Sequence, residues 1–187
     1  GVIVVCLLLS AFFSGMEIAF VSSNKIYLEI EKKQNSFLSK ILTKLTAKPS
    51  KFIVAMLIGN NIVMVIYGFF MGELLMQWFI SLGFEFSDVL SLLLQTLISA
   101  IIVLMTAEFF PKVFFQIYAN TLFKFFAIPA YFFYNVFYFI STFFIWVSDF
   151  ILKNFFKTEG DNIQLYFSKV ELGNYITEQM SSVEDNE

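Results

Sequence analysis

The sequence predicts an all-α membrane protein in which three helices span the bilayer. Of its 187 residues, 58% are hydrophobic and only 14% are charged, whereas charged residues make up about 25% of an ordinary soluble domain. Three apolar runs lie at about 2–22, 52–82 and 89–111. At a helical rise of about 1.5 Å per residue, each run is long enough to cross the hydrocarbon. Lipid is therefore the expected surrounding of most of the chain.

A polar segment, 23–51, separates the first two runs. Apolar residues recur in it at helical spacing, which predicts two short amphipathic helices, broken near Gln34–Ser36 and ended by Pro49. The segment carries seven lysines, whereas the loop 83–88 carries none. By the positive-inside rule the segment is expected in the cytoplasm and the N-terminus outside.

The stretch 113–156 admits two interpretations. Residues 127–152 are rich in aromatics and carry a single charge, so hydropathy alone gives a fourth span. Pro129 and scattered polar residues favour instead a bent, belt-like segment at the membrane surface. The tail 158–187 is polar and acidic, and a capping box at Ser168–Glu171 predicts a helix there. We expect a soluble domain to follow this tail.

Composition argues against several function classes. The chain has no histidine, which removes Ser-His triads and histidine zinc sites, and no paired-aspartate motif lies in the spans. We therefore expect no enzyme. A net charge of −3 and the lack of a basic, aromatic groove argue against nucleic acid as a partner. The single cysteine, Cys6, lies in an apolar run and is expected to be a buried thiol.

Polar residues interrupt the first run in the stretch SAFFSGMEIAF, Ser10–Phe20. Ser10, Ser14 and Glu17 are spaced by four and three residues, so they share one face of a helix. A carboxylate that faces lipid costs about 2.5–3.5 kcal/mol even on lenient scales. This face is therefore expected to meet other helices or a cation.

The other two runs are interrupted as well. Gly59, Asn60 and Asn61 fall within the second run, where they are expected to weaken the helix and free backbone carbonyls. Glu108 stands three residues before Pro111 in the third run. Because proline removes an amide donor and clashes with a carbonyl one turn back, we expect a bend that leaves carbonyls near Glu108 open.

Depth in the membrane brings these groups together. Counted by helical rise from the cytoplasmic side, Ser14 lies about 13 Å deep, Asn60 about 12 Å, Glu17 about 9 Å and Glu108 about 6 Å. The set offers hydroxyl, amide and carboxylate oxygens and no imidazole, which suits hard cations such as Mg2+, Ca2+ or Na+.

Each of these features also has a purely structural interpretation. Small residues such as Ser10 and Gly15 allow close packing of membrane helices. Asn60 is equally suited to a hydrogen bond between helices. Lys112 is placed to pair with Glu108, which would make both residues structural. The occurrence of all the polar groups at matched depth favours the ion site.

Three motifs give the chain a resemblance to a known family. They are SAFFSGMEIAF at Ser10–Phe20, IGNNIV at Ile58–Val63 and AEFFPK at Ala107–Lys112. With their order and spacing, and the lysine-rich segment between the first two, the chain resembles the CNNM/CorC family of magnesium transporters. The resemblance is good over roughly 2–120. The sequence departs from the family in having Ala107 where glycine is usual.

The resemblance implies a homodimer. Each protomer would have three spanning helices, an intracellular helical hairpin over 23–51 and a juxtamembrane belt helix over 113–156, together forming a transmembrane domain over 1–157. The acidic stretch 158–187 would be a cytosolic linker helix leading to a CBS domain pair. ATP would bind only to that pair, which this chain does not include.

The resemblance further implies an inward-facing cavity that binds dehydrated Mg2+, with export coupled to Na+. By motif, the metal ligands would be Ser10, Ser14, Gly59, Asn60 and Glu108. Residues on a possible ion pathway would be Glu17, Asn61, Pro111 and Lys112. The expected location is the inner membrane of a bacterium, as a multi-pass protein with its C-terminus in the cytoplasm. The alternative is an ion-sensing module or scaffold that signals to a cytosolic domain without transport.

Overall fold

The computed structural model describes residues 1–34, 36–83 and 87–156. This part of the chain is helical and contains no strand. The α-helices are α1 Val2–Ser22, α2 Lys25–Lys33, α3 Phe37–Thr46, α4 Pro49–Ser81, α5 Asp88–Val103, α6 Phe110–Ile117, α7 Ala119–Phe125, α8 Ala127–Val136 and α9 Tyr138–Ile151. Two π-helical segments follow α5 and α9, at Leu104–Phe109 and Leu152–Phe156. The helix predicted from Ser168 lies outside the described residues.

Within the described residues, three helices are long and apolar enough to cross a membrane, as the sequence predicts. They are Val2–Ser22, Pro49–Ser81 and the 30-residue stretch Asp88–Ile117, which joins α5, the first π-helical segment and α6. The first agrees with the predicted run 2–22. The third continues six residues beyond its predicted end at residue 111, because Pro111 lies in the first turn of α6 and needs no amide partner there.

The expected weakening of α4 at Gly59 and Asn60 was wrong. The helix runs unbroken for 33 residues through this point and through Gly68. Asn61 turns its side chain back onto its own helix, donating from Nδ2 to the Leu57 carbonyl at 2.9 Å. An opened helix in lipid would leave backbone groups unpaired at several kcal/mol each, so the regular helix is lower in free energy.

The two amphipathic helices between α1 and α4 form where the sequence predicts them. Asn24 caps α2 by accepting from the amides of Ile26 and Tyr27. Ser36 and Ser39 form a reciprocal capping box at the start of α3. Such caps stabilise a short helix by about 1 kcal/mol each, which matters in helices of only two or three turns. Helices α2 and α3 pack against each other.

Polar contacts fix α2 and α3 to the helices that follow the third span. The Lys124 ammonium of α7 donates to the Glu31 carboxylate of α2 at 2.7 Å. The Lys44 ammonium of α3 donates to the Tyr131 hydroxyl of α8 at 3.0 Å. These contacts link α2 to α7 and α3 to α8.

The stretch 127–152, for which the sequence left two interpretations, is bent. The helix Ala127–Val136 meets Tyr138–Asn154 at an angle of 70°, so the two form a broken span or a re-entrant loop by length and composition. A single straight fourth span is therefore ruled out. The described chain divides into two compact units between Thr142 and Phe143, and the polar residues of interest all lie in the first unit.

Candidate cation site

Helix α1 is the central element of the site. It packs against α4, α6, α7 and the π-helical segment Leu104–Phe109. The face that carries Ser10 and Ser14 is turned fully inward, since neither side chain is more than 1% exposed. The two serines of the sequence-predicted polar face are thus enclosed by protein, whereas Glu17 on the same face is half-buried.

The hydroxyl of Ser10 reaches the second span. Its Oγ donates to Oδ1 of Asn60 at 2.6 Å, across 50 residues of sequence. Helices α1 and α4 run antiparallel here, since Phe20 also meets Phe52, with ring centroids 4.9 Å apart. The bond places a hydroxyl and an amide oxygen side by side at the depth where the sequence predicts the site.

Ser14 lies one turn beyond Ser10 on the same face of α1. Its Oγ is buried and, within the described residues, has no hydrogen-bond partner. Most buried serines of membrane helices bond back to their own helix, as Ser23 does to the Ala19 carbonyl. A buried polar group without a partner costs about 1–3 kcal/mol. Ser14 therefore presents an oxygen ligand that nothing in the described protein satisfies.

Packing explains why position 59 is a glycine. A Cβ at this position would lie 2.7 Å from two ring atoms of Phe13, well inside van der Waals contact. Gly15 is covered in the same way by the ring of Phe115, at 2.6–2.8 Å. Sequence reasoning missed these phenyl-on-glycine contacts.

Glu108 lies in the π-helical segment, which contacts α1. Sequence analysis expected a bend at Pro111. Instead the helix widens over one turn, and the Phe110 amide bonds to the Met105 carbonyl five residues back. This turn absorbs the missing amide of Pro111 without breaking the helix. Single π-helical turns within α-helices occur frequently at functional sites.

The side chain of Glu108 is half-buried. None of the ion pairs described in the structure joins it to Lys112. Lys112 instead lies close enough to Glu17 to attract its carboxylate electrostatically. The structural interpretation in which Lys112 neutralises Glu108 therefore finds no support.

The remaining pathway residue, Asn61, faces away from the site. Its side chain is exposed and is engaged with the carbonyl of Leu57. The structure thus separates Asn60, which bonds across to α1, from its neighbour, although the two are chemically identical.

The donor set is dominated by neutral oxygens. Over the part of the chain that the structure describes, no three Asp, Glu, His or Cys side chains gather into a group that could hold a metal ion. Any cation here would rely on the hydroxyls of Ser10 and Ser14 and the amide oxygen of Asn60. Glu108 would add a carboxylate from the π-helical segment. Such oxygen donors suit hard cations and do not suit zinc or copper.

The fold and these contacts define a class: a helical membrane protein with at least three candidate spans. Its first two spans share a hydroxyl–amide hydrogen bond, and the first carries an unpartnered buried hydroxyl among the described residues. A family model described as the cyclin M transmembrane N-terminal domain, CNNM, matches residues 1–187. The chain therefore belongs to this family, as its motifs suggest.

A curated relative supports the assignment. The chain is 39% identical over 62 residues to a protein named "UPF0053 protein" from Haemophilus influenzae. The matched stretch covers 33% of this chain and 15% of the relative. The chain thus matches only a small part of a much longer protein.

Proposed function

We propose that this chain is the ion-binding membrane domain of a magnesium transporter, which takes Mg2+ from the cytoplasmic side into a cavity between the first three spans. The CNNM family is associated with magnesium transport or ion sensing, which supports the general class. The observation that carries the specific proposal is the contact between Ser10 Oγ and Asn60 Oδ1 at 2.6 Å.

The spacing of these two oxygens favours a small cation. In an octahedron with Mg2+–oxygen distances of about 2.0–2.1 Å, neighbouring ligands lie about 2.9 Å apart. At the Ca2+–oxygen distances of about 2.3–2.6 Å the same edge is about 3.3–3.7 Å. Ser10 and Asn60 would separate by only a few tenths of an ångström to hold Mg2+, but by most of an ångström to hold Ca2+. The short hydrogen bond between them therefore supports the smaller ion in the proposed site.

Ser14 and Glu108 complete the proposed site. The unpartnered Oγ of Ser14 gains in Mg2+ the partner that it lacks, which offsets the cost of burying it. Mg2+ gives up its water reluctantly, so neutral oxygens alone are weak compensation and a carboxylate is needed nearby. Glu108 supplies that charge from the π-helical segment.

Glu17 and Lys112 are proposed to act along the ion pathway. Glu17 lies on α1 three residues beyond Ser14, toward the cytoplasmic end, and Lys112 offsets its charge. With Na+ as the coupling ion, this pair would lie on the path of the ion between the cytoplasm and the serines of α1. Gly59, placed among the ligands by motif, would contribute its carbonyl only; its missing side chain is already explained by Phe13.

The proposed setting is the inner membrane of a bacterium, with lipid and a second copy of the chain as partners. The lysine-rich segment that contains α2 and α3 would face the cytoplasm. The extensive exposed apolar surface of α5, α8 and α9 is consistent with lipid and helix partners that the single chain does not provide.

Flux measurements test the proposal. The purified chain is reconstituted in vesicles that enclose a Mg2+-sensitive dye, with and without an opposing Na+ gradient. We expect Mg2+ flux that the Na+ gradient accelerates, that Asn60→Ala abolishes and that Asn61→Ala leaves unchanged. Mg2+ binding without flux would favour the sensing module. Absence of binding in the wild type would refute the site.

A further inference from the structure

Beside the Ser10–Asn60 hydrogen bond, a phenylalanine ring lies between α1 and α4. Phe13 lies between Ser10 and Ser14 on α1, is 1% exposed, and presses its ring onto Gly59 of α4. Gly59 immediately precedes Asn60, the partner of Ser10. The phenyl-on-glycine contact therefore lies directly beside the oxygen pair.

The ring of Phe13 cannot swing away freely. On its other side it meets Phe133 of α8 edge-on, with centroids 4.8 Å apart, and Phe137, at 6.2 Å. Phe12 adds contacts to Phe133 and to Phe126, at 5.8 and 5.7 Å. Close packing of this kind transmits displacement, because no free volume absorbs it.

We propose that Phe13 is a positioning residue that sets the separation of α1 and α4, and so of Ser10 and Asn60, and that it thereby favours Mg2+ over larger cations. In this arrangement Gly59 serves as clearance for the ring, and Phe133 of α8 holds the ring in place. The inference rests on the proposed function and deepens it, since it assigns the size discrimination of the same site.

The distance between Gly59 and the ring of Phe13 indicates how sensitive Mg2+ binding should be to a substitution here. A methyl group on Gly59 would lie 2.7 Å from the ring of Phe13, where carbon atoms prefer about 3.5–4.0 Å. Relief of this overlap must displace the ring of Phe13, which Phe133 and Phe137 confine, or move α1 from α4, by several tenths of an ångström or more. Metal–ligand distances tolerate about 0.2 Å, and loss of a residue that orients a ligand typically weakens metal binding about 10–100-fold.

A double-mutant cycle that enlarges the side chain at position 59 and shortens the one at position 13 tests the inference. Mg2+ and Ca2+ affinities are measured by calorimetry for the wild type, Gly59→Ala, Phe13→Leu and the double variant. We expect Gly59→Ala to weaken Mg2+ binding about 10–100-fold and the added Phe13→Leu to restore most of it, because leucine vacates the space of the ring tip. Phe13→Leu alone should lower the ratio of Mg2+ to Ca2+ affinity, which a merely structural role would not change.

Matched controls lie on the same helices. Gly68→Ala adds a methyl group to α4 where nothing lies within 4 Å, so binding should stay as in the wild type. If Gly59→Ala does not fold, Phe133→Ala takes its place. Phe133→Ala should weaken Mg2+ binding and lower the ratio of Mg2+ to Ca2+ affinity. Phe132→Ala, at a position 63% exposed, should change neither quantity.

The outcomes separate the inference from the proposed function. A wild type that binds no Mg2+ refutes both. A wild type that binds Mg2+, combined with unchanged binding in Gly59→Ala or no recovery in the double variant, refutes the role of Phe13 and leaves the proposed function standing.

Discussion

Substitution of Ser14 should raise the stability of the Mg2+-free protein and reduce the stabilisation that Mg2+ adds. Without the ion, Ser14→Ala removes a buried oxygen that has no partner in the described protein and leaves an apolar methyl group in its place. The relieved cost is about 1–3 kcal/mol. In a chain of this size each kcal/mol corresponds to a rise of roughly 2–4 °C in Tm. The Mg2+-free variant should therefore unfold at a higher temperature than the wild type.

The stabilisation that Mg2+ adds should be smaller in the variant than in the wild type. At a concentration of about 100 times Kd, a ligand stabilises the folded state by about 2.7 kcal/mol, and a tenfold weaker Kd reduces this to about 1.4 kcal/mol. The Mg2+-induced rise in Tm should accordingly be about halved in Ser14→Ala. Thermal unfolding in detergent, with a chelator or with Mg2+, measures both quantities.

Ser141 provides the control. It is also fully buried, but its Oγ donates to the Phe137 carbonyl at 2.8 Å, so Ser141→Ala relieves no unpaired group. It should not raise the Mg2+-free Tm and should keep the full response to Mg2+. A Ser14→Ala protein that is less stable without the ion, or that responds to Mg2+ like the wild type, would show that Ser14 is not a ligand.

Three further predictions concern the amide of Asn60, the carboxylate of Glu108 and the ion pair between Lys124 and Glu31. Asn60→Ala should remove protection from heat and protease by Mg2+, while Asn61→Ala keeps it. Glu108→Gln should likewise remove this protection, leaving the Mg2+-free protease pattern unchanged. Lys124 holds the pKa of the Glu31 carboxyl below its usual range by donating a hydrogen bond. The pair therefore stabilises at neutral pH and loses this effect as pH falls through the lowered pKa. Lys124→Met should be less stable than wild type at pH 7, with the difference in Tm vanishing in acid; a pH-independent difference would contradict this.

Much of the fold could be predicted from the chain itself. Apolar length alone located α1 at 2–22, and the break between α2 and α3 followed from polar residues near Gln34. The spacing of Ser10, Ser14 and Glu17 predicted one polar face, of which the structure buries the two serines and leaves Glu17 half-buried. Bilayer thickness constrains where residues of different spans can meet, so helical rise alone places Asn60 at the level of the α1 serines.

Helix continuity was harder to predict. Sequence reasoning took the glycine and asparagines of α4 as a break, but in lipid the cost of unpaired backbone outweighs a low helix propensity. It likewise took Pro111 as a bend. The chain instead inserts one extra residue in a π-helical turn, an outcome that depends on packing of α1 against Leu104–Phe109.

The contacts made by Phe13 lay beyond sequence reasoning altogether. Its partners, Gly59 and Phe133, are far away in sequence, and 27 phenylalanines give no composition signal that singles one out. Only the tertiary structure shows which aromatic ring faces a glycine and which faces lipid.

Calorimetric titration of the wild type and of Ser10→Ala with Mg2+, with Ca2+ and Na+ as competitors, tests the central claim most directly. The account predicts saturable Mg2+ binding in the wild type that Ca2+ and Na+ displace only weakly, and a loss of that binding in Ser10→Ala, which lacks one oxygen of the 2.6 Å pair. Tighter binding of Ca2+ than of Mg2+, or unchanged Mg2+ binding in Ser10→Ala, would contradict it.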